Sequence, residues 1–85
     1  MHMKEILILG SGCYRCQKLH ENVEAAVKDL GIECEIFKVS DPAAIAGFGV
    51  MYTPALLIDG EIKAVGKLLS VQQIKDILLK NSDQT

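Results

Sequence analysis

Four consecutive apolar residues, Ile6-Leu7-Ile8-Leu9, run straight into Gly10-Ser11-Gly12, and beyond that turn the hydrophobic period changes. Before it, residues 4–9 are nearly continuous branched side chains, the pattern of a strand buried on both faces of a parallel sheet. After it, Leu19, Val23, Ala26, Val27 and Leu30 recur at helical spacing, and Gly31 stands where a helix end favours positive φ. The helix is predicted over about residues 13–30. Residues 32–39 read as a second strand, with Ile32, Cys34 and Ile36 on one face and Phe37 and Val39 on the other. Strand, long helix and strand make a right-handed βαβ unit with parallel strands. This unit constrains everything that follows.

Downstream, Asp41 is placed to cap a short helix with Pro42 in its first position; the helix runs to about 46 or 48, because Gly47 and Gly49 weaken it. Thr53-Pro54 opens a third strand at 55–58. Asp59-Gly60 is a type I′ hairpin signal, and residues 61–65 form the return strand. Ser70 and Gln73 make a capping box for a last helix that buries Val71, Ile74, Ile77 and Leu78 and ends near Lys80. The order is βαβαββα, an α/β fold with a four-stranded mixed sheet sandwiched by helices. A chain of 85 residues holds one domain, residues 1–85, with a polar tail at 81–85.

Charge and composition narrow the function classes. A net charge of −2 without a basic cluster argues against a nucleic-acid partner. With two Tyr, two Phe and no Trp, base stacking is poorly served and the core must be aliphatic. No apolar run approaches the ~20 residues a membrane span needs. The start, MHMKEILILGSG, reaches charge and glycine too early for a signal peptide, so a soluble cytoplasmic protein is the expectation; a monomer is expected as well. Three cysteines, two of them three apart and Cys34 alone, suit cysteine chemistry better than a disulfide-stapled secreted fold.

The segment GSGCYRC admits three chemistries. As a phosphate loop it lacks the third glycine of G-x-G-x-x-G, where Arg15 stands, and has no Gly-Lys-Ser/Thr. Its glycines instead let the chain leave the strand and start the helix tightly. As a metal clip, Cys13 and Cys16 could bite one soft ion, Cu(I) or Zn(II), making the protein a carrier or sensor without turnover. His20 lies one turn beyond Cys16 and could share that ion, but it reads better as a solvated helix residue.

As a dithiol, the pair fits best. Two cysteines three apart at a helix start can close a disulfide without disturbing the helix. Cys13 in the first turn faces unpaired N–H groups and the positive end of the helix dipole. The dipole supplies only about 0.3–1 kcal/mol. Lowering a thiol from about 8.5 to about 7 therefore also needs those N–H bonds and the fixed charge of Arg15. Cys16, one turn in and less exposed, keeps its proton and acts second, so Cys13 attacks and Cys16 resolves. Thr53-Pro54 is the second element. Its proline is either an ordinary strand-start residue or a cis-proline beside the thiols whose backbone docks an extended peptide.

GxCxxC after the first strand, a lone Thr-Pro, then ALLIDG and a charged return strand resemble the thioredoxin-like superfamily. The chain is most similar to the small prokaryotic glutaredoxin-like redox-active disulfide proteins, which lack the extra N-terminal strand and helix of full thioredoxins. The resemblance runs from Met3 to about Lys80 and implies that Cys13 is the nucleophile, Cys16 the resolving thiol and Pro54 cis, preceded by Thr53. It implies a thiol–disulfide oxidoreductase with no bound cofactor beyond the Cys13–Cys16 disulfide. The substrate would be a disulfide-containing protein, and electrons would come from a thioredoxin-reductase-like flavoprotein or glutathione. Tyr14 and Arg15 match neither the Gly-Pro of thioredoxins nor the Pro-Tyr of glutaredoxins, and are expected to meet substrate together with Thr53 and Pro54. The buried acid of thioredoxins would fall near Leu7, which leaves Lys4 or Glu5 as the nearest proton carriers in sequence. Cys34 reads as a small core residue, Met51 and Tyr52 either as groove lining or as core caps, and residues 47–52 as a mobile wall.

Overall fold

Side chains of the first strand alternate between two different cores, and this alternation organises the molecule. The computed structural model describes residues 4–10 and 14–82, giving β1 (Lys4–Leu9), α1 (Tyr14–Leu30), β2 (Cys34–Val39), α2 (Pro42–Gly47), β3 (Ala55–Ile58), β4 (Glu61–Val65) and α3 (Val71–Ser82). The sheet order is β2-β1-β3-β4. β1 pairs parallel with β2, from Lys4 opposite Cys34 to Leu9 opposite Val39. It pairs antiparallel with β3, and β3 pairs antiparallel with β4.

On one face, Ile6, Ile8, Leu56, Ile58 and Ala64 pack with Leu19, Val23 and Ala26 of α1 and with Leu69, Ile74 and Leu78 around α3. On the other, Leu9, Ala55 and Leu57 pack with Ile45 of α2 and with Val50. Each buried Leu or Ile contributes about 1.5–3 kcal/mol by leaving water. The core is aliphatic, as the composition requires: the buried apolar residues include no aromatic, and Tyr14, Phe37, Phe48 and Tyr52 are all exposed.

The local signals translate largely into local structure. Gly31 takes φ +65 at the end of α1, and the Asp59-Gly60 turn has both residues at positive φ. The capping box closes reciprocally: the Gln73 N–H donates to Ser70 Oγ at 3.2 Å and the Ser70 N–H to Gln73 Oε1 at 2.9 Å. Three details differ. β2 begins at Cys34 rather than at residue 32, because the Glu33 carbonyl only meets the Lys4 N–H at 3.4 Å and the ladder starts beyond it. Asp41 holds the N-cap position of α2 but its side chain makes no cap bond; its backbone carbonyl accepts from the Ile45 N–H at 3.0 Å. α3 extends to Ser82, past Lys80. The start of α1 is described from Tyr14, and Cys13 lies outside the described residues. No helix among the described residues is long and apolar enough to cross a membrane.

Candidate active site

The carboxyl end of β1, the amino ends of α1 and β3 and the end of β4 meet at one edge of the sheet, and most of the residues singled out in the sequence gather there. Cys13 and its neighbours Ser11 and Gly12 lie outside the described residues. Cys16, the third residue of α1, is 3% exposed. Its sulfur occupies the space that a side chain on Gly10 would need. A Cβ at Gly10 would overlap Cys16 Sγ and lie 2.9 Å from Cys16 Cβ, with Thr53 Cβ 4.0 Å away. Gly10 is held in place by its N–H, which donates to the Val39 carbonyl at 2.9 Å. Gly10 thus brings β1, α1 and the segment before β3 within van der Waals reach of one another.

The Thr53–Pro54 peptide bond is cis, and Pro54 is fully buried. Its carbonyl accepts from the Gly66 N–H at 2.8 Å, continuing the β3–β4 ladder one pair beyond Ala55 and Val65. Gly66 has φ +69, and a Cβ there would come 3.2 Å from Tyr52 Cβ. Its carbonyl accepts from Arg15 Nη2 at 3.0 Å. Arg15 therefore ties the amino end of α1 to the end of β4, across 51 residues of sequence. The sequence reading assigned its charge to the attacking thiol; the structure adds this second attachment. Tyr14 is 75% exposed and borders a shallow depression with Gln17, Lys18 and Glu21.

Of the two readings of Met51 and Tyr52, the core-cap one is excluded, since they are 87% and 68% exposed. Lys4 and Glu5 lie too far from Cys16 to serve it as proton carriers. They sit at the opposite end of β1, about 15–20 Å from the motif at ~3.3 Å per residue, where Asp59 engages both. Leu7, near the position expected of a buried acid, packs against the α2-side core. Cys34 is half-buried at that same distant end. Burial pushes its thiol above the ordinary pKa; Lys4 opposes the shift and Asp59 adds to it. His20 Nδ1 lies 3.6 Å from Glu24 Oε1 along α1. Among the described residues no group of three or more His, Cys, Asp or Glu is arranged to hold a metal ion.

Residues 4–79 match the model of the thioredoxin domain. The chain belongs to the thioredoxin family. A thioredoxin from Methanothermobacter thermautotrophicus is 42% identical over 76 residues, spanning 89% of this chain and 99% of that protein. A thioredoxin from Methanocaldococcus jannaschii is 45% identical over 76 residues, spanning 89% and 87%. Among solved structures, malaria parasite thioredoxin-2, described as a component of its protein secretion machinery, superposes with a TM-score of 0.70 at 18% identity, covering 92% of this chain and 82% of that one. A further malarial protein gives 0.69 at 15% identity, covering 99% and 100%. At such identities the superpositions establish the thioredoxin fold alone.

Two glycines of this thioredoxin-family site carry more than the sequence reading gave them. The sequence marks Gly10 as part of the turn by which the chain leaves β1, and Gly66 only as the residue after the return strand. Counting from the Asp59-Gly60 turn in regular register places Val65 opposite Pro54, so the extra residue in β4 hid the position of Gly66. The packing at Gly10 left no local signal, because the atom that excludes a side chain there belongs to Cys16 and arrives through space.

Proposed function

We propose that the protein is a thiol–disulfide oxidoreductase in which Cys13 and Cys16 cycle between dithiol and disulfide. The observation that carries this reading is the seat of Cys16, a buried thiol in the first turn of α1 fitted against Gly10, which in turn lies beside Thr53 and the cis Thr53–Pro54 bond. A buried second thiol suits the resolving role, which comes after Cys13 has attacked.

The Cys13 thiolate attacks one sulfur of a substrate disulfide, that S–S bond breaks, and the departing thiolate takes up a proton. Cys16 then gives up its proton and attacks the Cys13 sulfur of the mixed disulfide, releasing the second substrate thiol and forming Cys13–Cys16. Two electrons and two protons pass to the substrate. A dithiol or reductase restores the protein, and no bound cofactor is required. The segment 51–54, exposed at Met51 and Tyr52, and the side chains of Tyr14 and Arg15 border the place where substrate approaches. The working compartment is the cytoplasm, and the substrates are proteins.

Replacing Cys16 with Ser is expected to accumulate mixed disulfides through Cys13 and to stop turnover, while Cys13→Ser forms none. Non-reducing gels and mass spectrometry of the trapped species check this. Full turnover by both variants would sink the reading, and stoichiometric Cu(I) or Zn(II) binding without turnover would put a thiol-based metal carrier in its place.

A further inference from the structure

The charges of the chain are sorted along the sheet. At the end away from the candidate site, Glu5, Glu33, Glu35, Asp59 and Glu61 stand at or beside the strand ends, against Lys4 and Lys63. At the site end the balance reverses. The only arginine in the sequence, Arg15, is exposed there, and exposed Lys67 directly follows the Gly66 carbonyl to which Arg15 bonds. Lys18 and Glu21, next along α1, pair with each other at 3.8 Å and cancel. Asp41 is the acid at this end, and it follows β2, on the opposite edge of the sheet from β4. Three strand spacings of ~4.8 Å put it about 14 Å away from the Gly66 side. A chain of net charge −2 thus presents a positive rim beside Cys16.

That rim borders exposed apolar surface. Tyr52, 68% exposed, touches the position of Gly66, and Met51 beside it is 87% exposed. Arg15 uses one Nη2 donor on the Gly66 carbonyl, and a guanidinium has five N–H donors in all. The remaining donors of a tethered guanidinium suit a carboxylate, which accepts two of them in parallel. The acidic far end adds direction: a negatively charged partner region is repelled by that end and drawn to this one.

We propose that the Arg15–Lys67 rim selects polypeptide disulfides flanked by acidic side chains, with Met51 and Tyr52 covering the apolar part of the same segment. This rests on the oxidoreductase reading and adds the class of substrate. Preference enters through the rate of productive encounter, so it is screened by salt.

The test uses pre-reduced, desalted protein and three synthetic peptides carrying the same intramolecular disulfide, flanked by Glu, Gln or Lys. The second-order rate constant of each reaction is measured at about 20 mM and about 500 mM salt, where the Debye length falls from above 20 Å to below 5 Å. The Glu peptide is expected to react about tenfold faster than the Lys peptide at low salt, and the ratio to fall to about two at high salt. Lys67→Glu, at an exposed position, brings the low-salt ratio to about two or below, while Lys80→Gln on α3 leaves it unchanged. A wild-type ratio below two at low salt, a ratio indifferent to salt, or one indifferent to Lys67→Glu overturns the proposal while leaving the oxidoreductase reading intact. Failure of all three peptides to react, the neutral Gln peptide included, removes that reading and the proposal with it.

Discussion

Each end of the sheet holds a cysteine close to a tight turn, and the two thiols are set in opposite ways. Cys16 sits in the first turn of a helix, where its sulfur fills the space that Gly10 leaves empty. Cys34 sits at the start of an edge strand, half-buried against the α1–α3 core, beside a polar lock formed by Lys4, Glu5 and Asp59. In that lock the Glu5 N–H donates to Asp59 Oδ1 at 2.9 Å and the Asp59 N–H returns to the Glu5 carbonyl at 2.8 Å. Burial alone therefore does not describe the setting of either thiol. Cys16 has a helix terminus and a glycine moulded to it, with the cis-proline segment next to that glycine; at Cys34 burial, the largest influence, raises the thiol pKa.

The sharpest way to break the contrast is to exchange what the two cysteines contribute. Cys16→Ser is expected to lower steady-state disulfide reduction by more than about 100-fold, whereas Cys34→Ser leaves it within twofold, both read in a coupled turbidity or fluorescence assay. Gly10→Ala comes next. Inserting a methyl group into the Cys16 sulfur should cost about 1–3 kcal/mol. That corresponds to a fall in Tm of several degrees at about 4–8 °C per kcal/mol. It should also slow the step that resolves the mixed disulfide; an unchanged Tm together with unchanged resolution would show that the seat gives way.

At the far end, Asp59→Ala removes the acceptor for the Glu5 N–H and puts an alanine at φ +52, for about 1–2 kcal/mol of stability and no change in turnover. The smallest effect concerns pH. Because burial raises the Cys34 pKa in the folded state, the fold keeps a proton that the unfolded chain releases. Stability from this source is full below the ordinary thiol pKa and declines as pH rises above about 9 towards the folded value. Denaturation midpoints at about pH 8 and about pH 10 should differ less in Cys34→Ala than in the parent, and an unchanged pH slope would count against the assignment.

What could be read from the sequence follows from how far each cause lies along the chain. The capping box at Ser70 and Gln73, the Asp59-Gly60 turn and the burial of β1 on both faces are decided within a few residues, and they appear as expected. The Asp41 side chain makes no cap bond, and α2 starts with Pro42 in its first turn and the ordinary first helical bond from the Ile45 N–H to the Asp41 carbonyl. Arg15 meets a carbonyl 51 positions away, a distance no local rule spans. Met51 and Tyr52 illustrate a further limit. Apolar composition suggested either core or surface, and only the packing of Gly66 against Tyr52 shows which side of the chain is open.

One irregularity in the hairpin links its two ends. Four residues of β3 face five of β4, with the pairing shifted between Leu56 and Leu57 so that Lys63 has no opposite number. That supernumerary residue lets the hairpin keep its two-residue turn at Asp59-Gly60 while Gly66 still arrives opposite Pro54. The length of this strand is therefore as constrained as its composition. Losing a single codon from β4 would draw Gly66 out of line and carry the Arg15 acceptor away with it, whereas residues added at the exposed tip would leave both in register. Natural variation in chain length should accordingly collect at the turn and spare the strand.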